Sequence, residues 1–258
     1  AAKFMPYYRY NKIENGLKSH ELTAFGMIPI PFGELVMDEP DYQWGLTFEF
    51  PTLKYVDASK PVSNALSQIP PATRIALDQG IDAPIGGPGD TKVWGVGDLN
   101  TRLIIPAWQG EIFGLPVGIL TGAEHWWKTA SDELLGTGKW QVAPMGVVVV
   151  DIAPGMFLAS MNFWRTSYAG DADRADIELY VGRHFLNIPI GQTGFYTLTE
   201  LQTICDLKDN NDWEVWIGPE FGKVLKPGRI LYAKPGFGIS ADDDEREWSF
   251  ELGYRHFF

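Results

Sequence analysis

The chain has 258 residues, 45% of them hydrophobic, and a formal net charge of −12. That charge argues against a nucleic-acid partner, which needs a basic footprint, and against adhesion to anionic lipid through a basic patch. The single Cys205 rules out an internal disulfide framework and a cysteine-based zinc site, and no run approaches the roughly 20 apolar residues of a membrane-spanning helix.

The length suits one domain, residues 1–258. Ten Trp and 14% aromatic residues are many for a soluble domain of this size. Aromatic girdles at two membrane interfaces would account for them. The start Ala1-Ala2-Lys3 fits a mature end left by signal-peptide removal, which implies export.

Alternating segments then recur along the chain: Lys3–Ile13, His20–Pro31, Tyr42–Tyr55, Gly97–Trp108, Leu115–Lys128, Trp140–Ile152, Met156–Tyr168, Asp176–Leu186, Thr193–Asp206, Trp213–Val224, Arg229–Ile239 and Glu247–Phe258. Strands send successive side chains to opposite faces, so this alternation predicts about twelve strands. Each is near the roughly 9–11 residues that cross a bilayer at a tilt. The last is the clearest: Trp248, Phe250, Leu252, Tyr254, His256 and Phe258 share one parity, and Glu247, Ser249, Glu251, Gly253 and Arg255 the other. The expected fold is all-β, a single transmembrane up-and-down antiparallel β-barrel with an even strand count. Prolines 29, 31, 116, 144, 219 and 235 fall inside these strands and count against central positions, because each removes a ladder donor.

Connections fall into two alternating sets. Ala153-Pro154-Gly155, Asn187–Gln192 and Lys226-Pro227-Gly228 have turn chemistry. Asp57–Val96, Thr129–Lys139, Ala169–Ala175, Leu207–Asp212 and Ser240–Arg246 are longer or acidic. A periplasmic C-terminus places the acidic set outside, including a long extracellular loop at about 57–96; Phe32–Asp41 is the poorest fit to a periplasmic turn. A short helix within Ser63–Gln79 is compatible with the sequence.

Parity assigns faces. Leu99, Leu103 and Ile105, then Phe157, Met161 and Phe163, then Ile177, Leu179, Val181 and Phe185, then Trp213, Val215, Ile217 and Phe221 are expected to meet lipid, with Arg183 snorkelling from that face. The lumen is expected to hold Glu49, Asn100, Asn162, Asp176, His184, Glu200, Gln202, Glu214 and Glu247. The expected solute path comprises Arg102, Glu124, Trp126, Trp164, Glu178, Tyr180, Trp216, Glu220, Lys234, Glu251 and Arg255. Its aromatics, with Tyr232, either stack flat solutes at the mouth or fill space beside the lumen cations. Tyr254 and Phe258 are expected to act as an assembly signal.

The stretch Gly95-Val96-Gly97-Asp98-Leu99, the loop Thr129-Ala130-Ser131-Asp132-Glu133-Leu134-Leu135-Gly136-Thr137-Gly138-Lys139-Trp140, the acidic loop Asp171–Asp176, the strand end Gly222-Lys223-Val224 and the aromatic terminus resemble an outer-membrane family named for the meta-pathway of phenol degradation. The resemblance runs from about Leu22 to Phe258. It implies a transporter-like barrel in the bacterial outer membrane, without catalytic residues or a cofactor. The insert from about Asp57 to Thr91 departs from that pattern.

Enzymatic chemistry has little to stand on. There is no G-x-S-x-G elbow, and the four histidines are His20, His125, His184 and His256. His125 lies near the outer rim beside Ala123 and Trp127; His184 is expected to face inward with Tyr180 and Glu178. Asp171, Asp173, Asp176, Asp242, Asp243 and Asp244 offer oxygen ligands to a divalent cation, but match no complete EF-hand loop. The expectation is a non-enzymatic channel for passive passage of small, hydrophobic or aromatic solutes, in contact with outer-membrane lipid and lipopolysaccharide. Its acidic excess should favour cations or neutral solutes. A closed structural barrel is the alternative, a lipid-modifying enzyme the third reading, and homo-oligomerisation is left open.

Overall fold

The computed structural model describes residues 2–13, 18–30, 44–57, 92–133, 135–208, 212–239 and 246–258. Thirteen strands run through them: β1 (Lys3–Ile13), β2 (Lys18–Ile30), β3 (Trp44–Asp57), β4 (Lys92–Gly95), β5 (Leu99–Ile112), β6 (Leu115–Trp127), β7 (Lys139–Ala153), β8 (Met156–Gly170), β9 (Glu178–Ile190), β10 (Phe195–Asp206), β11 (Asp212–Lys226), β12 (Arg229–Gly238) and β13 (Arg246–Phe257). Apart from β4 and β5, chain neighbours pair antiparallel, β1 pairs with β13, and β2 pairs with β3, so the sheet closes on itself. β4 and β5 share one place beside β3: Lys92–Gly95 pairs with Lys54–Asp57, and Asn100–Ile104 with Gly45–Glu49. The result is a closed twelve-strand up-and-down barrel.

The expected turns close one end. Pro154-Gly155 and Pro227-Gly228 carry glycines at φ 74°, the backbone angle a type II turn needs after its proline. The turn between β5 and β6 at this end has no Pro-Gly pair to mark it in sequence. β5 runs on past Trp108 to Ile112 and reverses through Phe113-Gly114, both at positive φ (53° and 77°), as a two-residue type I′ turn requires. At the other end lie residues 128–133, 135–138, 171–177 and 207–208. β4 falls inside the stretch expected to be all loop. The proposed helix at 63–79, the connection 32–41, Pro31 and the acidic run Asp242–Asp244 lie outside the described residues.

The in-strand prolines are accommodated rather than avoided. On β11 and β12 the ladder breaks after Ile217↔Phe237 and resumes at Phe221↔Ala233, so Pro219 and Pro235 occupy a gap where neither has to donate. The inward indole of Trp216 fills the same gap. A Cβ on Gly218 or Gly236 would come within 2.0 and 1.9 Å of it. Tyr196 lies over Gly222, and Tyr232 over Gly253, in the same manner; an aromatic ring covers a bare glycine and restores packing on a curved sheet.

The interior is divided. Its one half is an apolar cluster of Ala143, Met145, Val147, Phe163, Ile177, Leu179, Val181 and Ile204, backed by Ile104, Leu120, Val149 and Met161. This corrects the face assignment on β8 and β9. Met161, Phe163, Ile177, Leu179, Val181 and Phe185 do not meet lipid: Phe163 is 3% exposed and Leu179 0%, and Met161 and Phe185 line the lumen. Arg183 points inward with them. Trp164, at 56% exposure, takes the outer face, and Asn162, Tyr180 and His184 share the outer rows. Elsewhere parity holds, with Leu252, Phe221, Leu231, Trp213 and Phe250 exposed and Glu251, Glu220, Glu214 and Ser249 buried.

Gly236→Val tests the ring-over-glycine packing. The added methyls displace Trp216, and overpacking of this kind costs about 1–3 kcal/mol. The urea midpoint of the refolded barrel in detergent should fall, while Gly146→Val, with no atom within 4 Å of its Cβ position, should leave it in place.

Candidate functional site: the lumen

Inward residues of β1, β2, β3, β5, β6 and β8 to β13 surround a cavity of about 240 Å³. It extends from Lys3 and Arg255 at the turn end to Lys54, Asp98 and Trp126 at the loop end. Seven basic side chains (Lys3, Arg9, Lys54, Arg102, Arg183, Lys234 and Arg255) and seven acidic ones (Glu21, Glu49, Asp98, Glu124, Glu200, Glu220 and Glu251) line it. The chain's surplus of acid is therefore not in this cavity, and the lumen itself gives no basis for cation preference.

The charges are paired along the wall. Arg102 and Arg165 both reach Glu124, the latter at 3.7 Å. Arg183 (2.5 Å) and Lys234 flank Glu200. Arg9 bonds Glu251 at 2.8 Å, and Tyr232 donates to the same carboxylate at 2.8 Å. Arg255 grips Glu220 with both terminal nitrogens, at 2.5 and 2.6 Å, while Tyr196 donates to it at 2.7 Å. Tyr7 donates to Glu49. Each of these ion pairs joins strands no more than two places apart, so the pairs lie against the wall rather than across the bore.

Aromatic rings hold the cations flat. Arg165 lies 4.5 Å from the Trp126 ring, Lys234 5.0 Å from Trp216, Arg255 4.1 Å from Tyr232, Arg9 4.9 Å from Tyr7 and Arg183 5.4 Å from Phe185. A desolvated cation over a ring gains about 2 kcal/mol. Of the aromatics expected at the mouth, Trp126 and Trp216 are inward but have a face occupied by a cation. Trp164 and Tyr180 stand outside, as does Glu178, which shares the row of Tyr180. A stacking entrance built from these four rings does not form. The inward charged residues Arg102, Glu124, Glu220, Lys234, Glu251 and Arg255 are brought together as expected. Arg9, Lys54, Arg165 and Arg183 were missed. Arg165 and Arg183 fall on strands whose apolar row is the inner one, so parity read there gave the wrong face.

A second construction lies at the loop end. Asp98, 4% exposed, accepts the backbone N–H groups of Thr129, Ala130 and Thr137 at 2.9–3.0 Å, and the Thr137 hydroxyl at 3.3 Å. Val96 and Ser131 exchange bonds beside it: the Ser131 N–H reaches the Val96 carbonyl at 2.8 Å, and the Val96 N–H the Ser131 hydroxyl at 2.9 Å. Leu135 is thereby folded in to 0% exposure. Its carbonyl accepts from Lys54 at 3.4 Å. A Cβ on Gly95 would strike Ser131 and Leu135, and one on Gly136 would strike Ala130 and Asp98. The sequence motif around Gly95–Leu99 and Thr129–Trp140 is thus one knot, in which a single carboxylate organises the loop.

The acidic loop 171–177 is tied down by lysines. Asp171 pairs with Lys128; Asp176 pairs with Lys139 at 2.9 Å and Lys208 at 3.7 Å. Among the described residues no group of three or more side chains is arranged to hold a metal ion. The hydrogen bond and charge of Lys139 hold the Asp176 carboxyl below its ordinary range. Tyr254 stands on the outward row of β13, and Phe258, one residue past the strand, stacks on His256 at 4.2 Å. Of the histidines, His125 contacts the Tyr168 hydroxyl at 2.7 Å. His184, outward rather than inward, contacts Ser160 at 3.0 Å.

No family model matches the chain, and no curated protein matches it by sequence. Solved structures do resemble the fold. An outer-membrane channel from Pseudomonas putida F1 superposes with a TM-score of 0.69 at 13% identity, over 100% of this chain and 95% of the other. The porin NanC does so at 0.60 and 7% identity over the whole of both chains. The KdgM porin gives 0.52 at 9% identity over 98% and 99%. At these identities the likeness defines the fold: a porin-like barrel of the outer-membrane type.

Arg255→Met leaves the Glu220 carboxylate, 3% exposed in its side chain, without its cation. Breaking such a pair from one side costs on the order of 3 kcal/mol. The denaturation midpoint should fall, and Arg255→Met/Glu220→Gln should recover most of the loss. For the knot, Asp98→Ala removes an acceptor from three N–H groups; hydrogen exchange at Thr129, Ala130 and Thr137 should accelerate about tenfold or more, as expected for roughly 1.5 kcal/mol of lost protection. The Asp176 contact has the usual sign for a depressed carboxyl: it is present at neutral pH and lost only as pH falls through the lowered value. Titration by NMR should show the Asp176 side chain protonating after free aspartate does.

Proposed function

We propose that this protein is a channel of the bacterial outer membrane for passive passage of small solutes, and not an enzyme. The observation that carries the reading is the disposition of the lumen charges. Fourteen of them line one cavity, and the ion pairs described among them run along the wall between near-neighbour strands rather than across the bore. A barrel built only to be shut has no need of this arrangement; pairs spanning the bore fill it more directly. The likeness to the Pseudomonas putida channel and to the NanC porin supports the same reading at the level of fold.

The balanced lining argues for small polar or neutral solutes and weak discrimination by charge. The loop end, where Asp98 and Lys54 line the cavity, is where this reading puts the constriction. The outward rows of exposed aliphatic and aromatic side chains, including Phe221, Leu231, Phe250 and Leu252, are suited to outer-membrane lipid, since closure pairs the strand edges that an open sheet would expose to hydrocarbon. The motif carried by the Asp98 knot supports kinship with the phenol meta-pathway family.

Planar-bilayer recording tests the reading. Purified barrel should give discrete conductance steps with a cation-to-anion permeability ratio close to unity. Lys3→Glu, which reverses a lumen cation outside the paired networks, should move that ratio toward cations. A folded barrel that inserts but passes no current would instead establish the closed structural reading.

A further inference from the structure

The lumen charges are not all spent on one another. Arg9, Arg102, Arg183, Lys234 and Arg255 each hold a glutamate. Asp98 is taken up by the loop knot, and Lys54, 2% exposed, bonds the Leu135 carbonyl. Glu21 is buried and flanked in register by Arg9 and Lys54.

Two cavity charges of opposite sign remain. Lys3 lies over the rings of Phe25 and Phe257, at 5.3 and 5.4 Å, and makes no ion pair among the described residues. Glu49 accepts from the Tyr7 hydroxyl through Oε1; its Oε2 has no partner among the described residues. Both side chains are half-buried and line the cavity, so a solute in the bore can reach them. They do not pair with each other. Glu49 is level with Phe25 on β2 and Met5 on β1, and Lys3 stands one inward position nearer the turn end. Two strand spacings and one two-residue step separate their backbones, roughly 10 Å by 7 Å. Across the ring, Met161, Phe185 and Leu198 give the same cavity an apolar side. At about 240 Å³ the cavity is about eight times one water's share of liquid volume, which is room for a small organic solute.

We propose that the lumen holds a subsite for a zwitterionic solute, an α-amino acid with an apolar side chain. Its carboxylate meets Lys3 Nζ, its ammonium meets Glu49 Oε2, and its side chain lies toward Met161, Phe185 and Leu198. A few placed polar groups beside an apolar wall are the usual make-up of a small-molecule site. A solute with a single charge satisfies one of the two groups and is repelled by the other. A dipolar solute of no net charge satisfies both, and meets no opposing field from the balanced pairs around it. The subsite deepens the channel reading and rests on it for access to the bore; binding and conductance are measured apart.

Isothermal titration calorimetry of the folded barrel in detergent tests it, with L-leucine as the probe. The analogues 4-methylpentanoate, which lacks the ammonium, and 3-methylbutylamine, which lacks the carboxylate, should each bind about tenfold more weakly, as expected for the loss of one charge-assisted hydrogen bond. Lys3→Met should weaken L-leucine about tenfold and remove its advantage over the amine. Glu49→Gln should weaken it equally and remove its advantage over 4-methylpentanoate. Lys3→Arg should keep most of the affinity. The analogue series on the unaltered barrel decides the matter even where a variant fails to fold. Equal affinity for L-leucine and 4-methylpentanoate reduces the site to an anion point at Lys3 and overturns the proposal; equal affinity for the amine does so from the side of Glu49. A barrel that conducts ions in a planar bilayer but binds none of the three overturns the subsite and leaves the channel reading standing. The expected ranking in a barrel that passes no current establishes the subsite and overturns the channel reading. Neither binding nor current overturns both.

Discussion

Closure of the hydrogen-bond ladder is the constraint on which the molecule depends. A sheet with two free edges exposes two rows of N–H and C=O groups, each costing several kcal/mol in hydrocarbon. Here β1 meets β13 over Lys3–Ile13, and β2 meets β3 over thirteen partnered positions, so both potential edges vanish into the ring. Other features are adjustments to that ring. The two-residue turns set its registers, the bulges at Pro106/Trp108 and Leu22/Thr23 bend it, and the rings over Gly218, Gly222, Gly236 and Gly253 fill positions where curvature leaves no room for a Cβ.

A closed ring of twelve strands must also fill or hydrate its inside. This chain packs part of its inside with apolar side chains and lines the rest with charge. Aliphatic side chains from β7, β8, β9 and β10 pack on one wall, which reduces the bore and anchors those strands by ordinary apolar burial. Charged side chains on the remaining walls pair with their neighbours and lie on aromatic rings. On the proposed channel reading the pairing bears on passage as well as on stability: an ion pair held along the wall is satisfied without crossing the bore, and a balanced set of such pairs leaves no strong field to exclude either sign of solute.

The divided interior has a counterpart outside. Where the inner row is aliphatic, the outer row takes up polar groups: Ser160, Asn162, Tyr180, His184 and Thr203 lie behind the apolar wall. Their mutual hydrogen bonds reduce the penalty of facing lipid.

Alternation, turn chemistry and the absence of a helical span made the barrel, its strand count and most of its strand limits readable from sequence. These are local properties: a two-residue period and a Pro-Gly pair mean the same thing in any context. The same logic correctly brought Arg102, Glu124, Glu220, Lys234, Glu251 and Arg255 inside, because their strands contrast a charged row with a greasy one. It failed for Trp164, Glu178 and Tyr180, and for Phe163, Leu179 and Val181 on the same two strands. There both rows are mixed, and parity states only that two rows face opposite ways. Which row faces inward is decided by packing against Ala143, Met145 and Ile204, residues that come near only once the ring has closed. The Asp98 knot and the Ser160–His184 contact are likewise invisible in one dimension. Sequence by itself determined that this chain rolls into a barrel with alternating faces. Only the tertiary structure decided which face is the inside, since that depends on contacts between strands far apart in the chain.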